Sequence, residues 1–403
     1  MADFGGGDVE AFRGEARSWL EANFPTSLAS DPGAQLAQAM GGTPGPDAAL
    51  WAGRMGGKGW GTPTWPAAYG GGGLSPAQAR VLAEELAAIG ARNPIGGMGV
   101  MMFGPTLLEV GTEDQKRRHI PPIVRGELRW CQGYSEPGAG SDLASLQTRC
   151  EDKGDHWLIN GSKIWTSGAN FADWCFCLVR TDTTKKHAGI SFILIDMRTP
   201  GVETRPILLI NGASPFCETF FTDVKVAKEN LMGPLNGGWA IAKRLLQFER
   251  ENISASLGAG GSPALGQTAG VDAIARDRLG LGPDGRLAEP DVRHRLADHL
   301  IDARAFQLTT RRAALEASGN QGPTAATSIM KYAGAKIAQD RTELAVESMG
   351  VQGLGWEGDA FAPGDLAVTR AWLRAKANSI EGGTSEVNLN VVAKRVLGLP
   401  DPK

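Results

Sequence analysis

Nothing in this chain reads as a membrane-crossing segment, because no apolar run approaches the roughly 20 residues that a bilayer helix needs. The opening stretch, MADFGGGDVEAFRGEARSWLEANFP, mixes Asp and Glu with Arg and lacks the apolar core of a secretory signal. Neither sign of charge dominates. The 41 Lys and Arg face 44 Asp and Glu, a net of −3 that gives no electrostatic reason to expect nucleic acid or an anionic membrane as partner. Cysteine is scarce: five residues, odd in number and scattered, do not make a disulfide framework and fit a reducing compartment. Cys175 and Cys177 alternate along an expected strand with no clustered histidines nearby, so they read as core packing, and no metal site is expected. Together these absences place the expected protein in the cytoplasm.

What is present is a chain of 403 residues, too long for one ordinary core, with the apolar and charged fractions of a globular protein. Helical spacing runs through Val9, Phe12, Ala16, Trp19, Leu20 and Phe24. After the Gly/Pro-rich stretch GGKGWGTPTWPAAYGGGGLSP, a second helix is expected from about Ser75 to Ile89, with Pro76 just inside it. GPTLLEVGTEDQKRRHIPPIVRGE adds short helices. The pattern then changes to strands. DHWLINGSKIWTSG predicts a hairpin turning at Asn160-Gly161, and ADWCFCLVRTD, GISFILIDM, VETRPILLI and CETFFTDVKV follow as strands. From Asn236 the helical pattern returns and persists to Leu397, where Gly398 can cap the last helix. The α–β–α order argues for separate domains and against a doubly wound sheet.

Two segments in the middle of the chain draw attention as binding loops. SEPGAGSDLAS (135–145) begins like a dinucleotide fingerprint, but Leu143 stands where the third glycine belongs, and no long helix opens behind it. Its amides, with the hydroxyls of Ser135 and Ser141, can hold a polar planar ligand, although a tight glycine-rich turn is the plainer reading. In INGSKIWTSGANFADW (159–174), Trp165 is followed at once by Thr166 and Ser167. An aromatic plane beside hydroxyl and amide donors suits an isoalloxazine ring, while a core Trp is the commoner case. Near the C-terminus, ANSIEGGTSEVNLN places Glu381 and Glu386 around a Gly-Gly-Thr-Ser turn before a helix. Ser385 is expected to cap that helix, and Val387, Leu389, Val391 and Val392 to supply its apolar contacts.

Taken together, WCQGYSEPGAGSD, NGSKIWTSGA, NGGWAIAKRLLQFER and SIEGGTSEVNLNVVAKRVLGLP resemble the acyl-CoA dehydrogenase family in order and spacing. GWGTPTWPAAYGGGGLS and GPTLLEVGTEDQK extend the resemblance towards the N-terminus, so that it covers nearly the whole chain. It implies an α+β multidomain fold: an N-terminal helical domain (1–128), a central β-barrel-like domain (129–236) and a C-terminal four-helix bundle (237–403). It also implies FAD as cofactor. By position, Gln132, Gly133, Tyr134 and Ser135, with Gly140 and Ser141, would line the flavin, and Trp165, Thr166 and Ser167 would pack on it and bond to it. Thr384 and Glu386 match positions near FAD, which makes the C-terminal turn a cofactor cradle whose helix N-terminus offers free amides. Glu347, Gly350 and Val351 match a further FAD-contacting stretch, although the family commonly has Gln at the position of Glu347.

The resemblance also bears on which carboxylate acts as base. Many members carry a catalytic Glu immediately before the Gly-Thr of the C-terminal turn, and here that position is Gly382. Glu381 is one residue early, and the helix dipole accounts for Glu386. Another branch places its base on the first long helix of the C-terminal bundle, where Glu249 matches. Independently, Ala242, Leu245, Leu246 and Ile253 fall within about 60° of Glu249 on a helical wheel, an expensive place for an unpaired carboxylate. An internal ion pair, with Arg250 or a residue of another helix, is the alternative reading of that position. Ser141, Gln247 and Arg250 match substrate-contacting positions. The family's Arg-x-x-Phe-Gly segment, whose arginine reaches a neighbour's FAD pyrophosphate, has no Phe-Gly pair here, and Arg276, Arg278 or Arg286 could take its place.

The implied reaction is α,β-desaturation of an acyl-CoA thioester, with the α proton taken by a carboxylate and the β hydride passed to flavin N5. The implied partners are the acyl-CoA, an electron-transfer flavoprotein as acceptor, and further copies in a dimer or tetramer, or a second subunit type in a mixed tetramer. Two alternatives share the scaffold: a flavin oxidase or monooxygenase, and a non-catalytic subunit of a mixed tetramer.

Overall fold

The computed structural model describes residues 6–36, 42–258, 270–316 and 326–400, with side chains described for 8–36, 42–248, 270–313 and 329–400. Two compact units emerge. The first comprises Met1–Ile207 and Pro215–Phe248, the second Leu208–Ser214 and Glu249–Lys403.

The first unit begins with the helix that the apolar spacing predicts, α1 (Gly6–Asn23), followed by α2 (Pro46–Lys58) and α3 (Pro76–Ala88). Phe12, Ala16 and Leu20 of α1 pack with Trp51 and Met55 of α2 and with Val81 and Leu82 of α3. One charged group is buried with them. Glu85 of α3 receives Arg13 and Arg17 of α1 at 2.9 Å each, so its carboxylate is paired rather than stranded. Ser75 and Gln78 form a capping box with Pro76 inside it, which fixes the start of α3. Two further helices, α4 (Gly104–Val110) and α5 (Glu113–Val124), lead to the sheet. Gln115, the reciprocal partner in the Thr112 capping box, also donates to the carbonyls of Glu229 and Leu231 and ties α5 to the last strand.

Eight strands form one sheet: β1 (Trp130–Gly133), β2 (Arg149–Asp152), β3 (His156–Ser167), β4 (Trp174–Arg180), β5 (Ile190–Asp196), β6 (Val202–Ile207), β7 (Phe216–Ala227) and β8 (Leu231–Met232). Their order is β6-β7-β3-β2-β4-β5-β8, with β1 parallel on β4. All of β4 is buried, and the two-residue alternation of a strand splits it between two cores. Trp174, Phe176 and Leu178 join one, while Cys175, Cys177 and Val179 join the other. All five cysteines are free and buried, and no metal-binding group of His, Cys, Asp or Glu occurs among the described residues.

The expected hairpin at Asn160-Gly161 is overturned. β3 runs straight through those residues and pairs antiparallel with β7, with a register shift between Ile159 and Gly161. The Asn160 amide is spent across the ladder: Nδ2 donates to Asp223 at 3.0 Å, and Oδ1 accepts from the Asp223 amide at 2.9 Å. The local turn preference gives way to pairing with β7, and the extra residue is absorbed as a bulge.

Helix α6 (Gly238–Gly258) follows the sheet. The second unit contains α7 (Val271–Leu279), α8 (Pro290–Glu316), α9 (Ala326–Ser348), α10 (Pro363–Ala375) and α11 (Ser385–Val391). Val271, Leu344, Ala345, Met349 and Val368 form its core cluster. No described helix is long and apolar enough to cross a membrane.

Candidate functional site

β1 and β3 bring the two central motifs together. Gly133 ends β1 opposite Cys177, and a Cβ there would lie 2.8 and 2.9 Å from the sulfurs of Cys175 and Cys177. Only a glycine lets the strand approach that closely. The chain then leaves the sheet. The Tyr134 ring stays in the core, edge-on to Phe176 and Phe192, and the Ser135 carbonyl accepts from the Ile164 amide of β3 at 2.8 Å. Glu136 and Ala139 exchange main-chain bonds of 3.1 and 2.9 Å, closing a tight turn that presents Gly140 and Ser141 to the outside.

Beneath this junction lies an ion pair that the sequence reading missed. Lys163 is 0% exposed and Glu136 8%, with Nζ 2.7 Å from a Glu136 oxygen. Lys163 also donates to the Tyr134 carbonyl at 3.2 Å. The Glu136 carboxylate accepts the amides of Gln147 at 2.6 Å and Thr148 at 2.9 Å. Burial works to raise the Glu136 pKa, but the Lys163 charge and the hydrogen bonds outweigh it and hold the group below the usual carboxylate range. A signal was available: on β3, Lys163 shares inward parity with Trp157 and Ile159, where a lysine needs a counter-charge.

Two residues further on, Trp165 departs from the strand. The ladder shifts register between Lys163 and Thr166, and Trp165 takes φ 61° with the residue 52% exposed. A left-handed bulky residue costs on the order of 1–3 kcal/mol and persists only where its surroundings over-determine it. Next to it, the Thr166 hydroxyl oxygen is buried with no hydrogen-bond partner among the described residues, and so is Nε2 of Gln132 on β1. An exposed, strained indole beside orphaned polar atoms and an open glycine turn suits a planar ring with polar edges, and these residues fit an isoalloxazine group.

The other expected positions belong to the second unit. Gly382, the position that the resemblance gives to the usual base, has φ 59°, a conformation that disfavours a glutamate. Arg374 grips Glu381 with both arms, at 2.7 and 3.2 Å. The cap of α11 is Thr384 rather than Ser385: its Oγ1 accepts from the Val387 amide at 3.1 Å, which puts Ser385 inside the helix. Nor do the apolar residues of α11 bury themselves. Val387 and Leu389 are exposed, and Val391 and Val392 are half-buried. Glu386 lies in the first turn of the helix. Glu347 is paired with Arg295 at 2.6 Å, which gives the unusual carboxylate a partner. Gly350 is left-handed and Val351 largely exposed in the short helix after α9. Of the candidate pyrophosphate arginines, Arg278 is held by Asp365 and Arg286 lies 3.7 Å from Asp284.

On α6, Ala242 and Leu245 are buried and Leu246 packs against the same core, so three of the four residues of the expected apolar stripe face that core. Gln247 accepts from Arg244, which also reaches Glu109. Glu249 and Arg250 lie on the helix backbone, but their side chains, like that of Ile253, lie outside the described residues.

Comparison with known proteins matches residues 8–127 to the acyl-CoA dehydrogenase N-terminal domain, 131–224 to the middle domain and 236–397 to the C-terminal domain. The acyl-CoA dehydrogenase IpdE1 of Mycobacterium tuberculosis is 35% identical over 98% of both chains. A solved structure titled "Tcur3481-Tcur3483 steroid ACAD" covers 98% of both chains at 30% identity, with a TM-score of 0.75. The ChsE4-ChsE5 complex from Mycobacterium tuberculosis covers 100% of both at 28% identity, with a TM-score of 0.71.

Proposed function

This chain belongs to the acyl-CoA dehydrogenase family, and on that premise we propose that it introduces an α,β double bond into an acyl-CoA thioester. It is a flavoprotein oxidoreductase whose cofactor is FAD. Bound FAD supplies the acceptor for the β hydride. Gln132 to Ser135, Gly140 and Ser141 line it, Trp165 packs on its ring, and Thr166 and Ser167 hydrogen-bond to it. Glu347, Gly350, Val351, Thr384 and Glu386 contribute to the FAD site of a neighbouring subunit. The three-domain division at 128 and 236 is part of the same reading, and the family matches support it.

Glu249 takes the α proton, and Ser141, Gln247 and Arg250 contact the thioester. An apolar stripe dries the base and raises its pKa towards the working pH, as general-base chemistry requires. The observation that carries this assignment is the state of the C-terminal turn. Gly382 offers no carboxylate, and Glu381 is chelated by Arg374. Glu249→Gln keeps shape while removing basicity, so FAD and acyl-CoA still bind and the anaerobic reductive half-reaction slows by roughly 10²–10⁴-fold. Glu381→Gln reduces flavin at a rate that tracks FAD occupancy. Near-normal reduction by Glu249→Gln, with loss in Glu381→Gln, would return the base to the turn.

The substrate we propose is a ring-bearing acyl-CoA, because a full-length structural neighbour is titled a steroid enzyme. Anaerobic bleaching against straight-chain and steroid-derived thioesters tests this, and preferential bleaching by short straight chains would overturn it. Electrons pass to an electron-transfer flavoprotein in the cytoplasm, where five free thiols are at home. The assembly is a homo-oligomer or a mixed tetramer. Two neighbours whose titles name two components favour the mixed form, and co-expression with neighbouring genes followed by sedimentation distinguishes the two.

A further inference from the structure

We propose that the buried Lys163–Glu136 pair positions the flavin platform: it sets the Ser135 loop against the strained Trp165 so that both meet the ring at once. This rests on the reading that these two segments face FAD. Glu136 is anchored by the amides of Gln147 and Thr148. Lys163 reaches that anchored carboxylate from β3 at 2.7 Å and, with the same ammonium, the Tyr134 carbonyl at 3.2 Å. The Ile164 amide adds a third link, to the Ser135 carbonyl. The loop and the strand are therefore fixed to one another immediately before the backbone turns left-handed at Trp165.

A buried ion pair is poor evidence of stability, since apolar residues of similar volume often replace both partners without loss. What the pair supplies here is direction. An ammonium satisfied by two acceptors on one loop admits few alternative registers of β3, and the bulge at Lys163–Thr166 needs one register to aim the indole. Lys163 and Glu136 act through Trp165 and Ser135, as positioning residues rather than catalytic ones.

The double variant Glu136→Gln/Lys163→Met separates direction from stability. The pair reading expects its apoprotein to stay folded, with a melting temperature lowered only by the one main-chain amide, of Gln147 or Thr148, that loses its acceptor, yet its FAD dissociation constant to rise about tenfold or more, with an altered visible circular dichroism band of the bound flavin. The single variant Lys163→Met strands the carboxylate and shows the same flavin changes with a lower apoprotein melting temperature. Wild-type FAD affinity and an unchanged band in the double variant would overturn the proposal and leave the pair a structural feature only. Trp165→Ala is the control for the underlying reading. If it leaves affinity and band unchanged, the site assignment fails; if it alters them while the double variant does not, the positioning inference alone fails.

Discussion

Two glycine-rich turns stand out in this chain, one leaving the sheet at Ser135–Ser141 and one entering α11 at Glu381–Thr384, and each carries a glutamate held by a cation. The sheet turn keeps its pair in the interior, where Lys163 and Glu136 are almost completely shielded. At the C-terminal turn, Arg374 and Glu381 remain partly open to solvent, and α11 has no buried residue. Surface pairs contribute about 0–1 kcal/mol, whereas removing one partner of a buried pair costs roughly 3–5 kcal/mol. The sheet turn is thus specified by the packing of its own unit. The C-terminal turn is specified by backbone geometry and a cap, with its apolar residues Val387 and Leu389 left exposed. One turn is held by buried charges within its own unit, and the other by a cap and a half-exposed ion pair.

Acid tests the unit that carries the first of these turns. His119 is buried among Trp130 and Trp174, and burial, with Arg118 adding, pushes its pKa down to about 4. The folded value lies below the ordinary 6.5, so the stability it leaves intact above that value is lost as pH falls towards 4. From the same shift, lowering pH from about 7 to about 5 costs about 2 kcal/mol. Glu136 has the same sign: stability present above the ordinary carboxylate range is lost as pH falls through its lowered value. His119→Phe flattens the dependence of urea unfolding on pH in that interval, and an unchanged slope would show that His119 does not carry it.

A comparable effect tests the close approach of β1 to the thiols. Gly133→Ala puts a methyl group within 3 Å of two sulfurs in the buried core, an overpacking that costs about 1–3 kcal/mol of stability and lowers the urea midpoint accordingly. Gly140→Ala, in the loop that follows β1 and with nothing within 4 Å of its Cβ, leaves the midpoint unchanged. Equal losses in the two would mean that the loop, and not the sulfur contact, is the sensitive feature.

These contrasts also mark what was legible in the sequence. The buried strands β4 and β5, the start of α3 at Pro76 and the four ordered motifs could be read directly, because composition and local chemistry specify them. Asn160-Gly161 misled because a two-residue signal was weighed without β7, which lies some 60 residues away and supplies the pairing. Lys163 and Glu136 were passed over for a related reason: their 27-residue separation hides a contact that only the β1–β4–β2–β3 arrangement creates. At the C-terminal turn two adjacent hydroxyls competed for the cap, and the left-handed pair Gly382-Gly383 decides between them by setting where the helix begins.

The smallest predicted effect concerns that cap. Thr384 satisfies one of the free amides at the start of α11, and its loss costs about 1 kcal/mol of local helix stability. The helix runs on into a π turn over Val392–Val396 and buries no residue, so the cost falls on its own order rather than on the unit. Thr384→Ala therefore leaves the global melting temperature nearly unchanged, while amide exchange at Val387 and Asn388 accelerates. Ser385→Ala changes neither, because Ser385 already lies inside the helix. Thr384→Ser restores both readouts, since a serine hydroxyl accepts the same bond. If the turn also cradles FAD, the alanine variant loses cofactor more than its melting temperature accounts for. A drop in melting temperature as large as that of Gly133→Ala would erase the distinction between the two turns, because it would place the C-terminal one within a cooperative core as well.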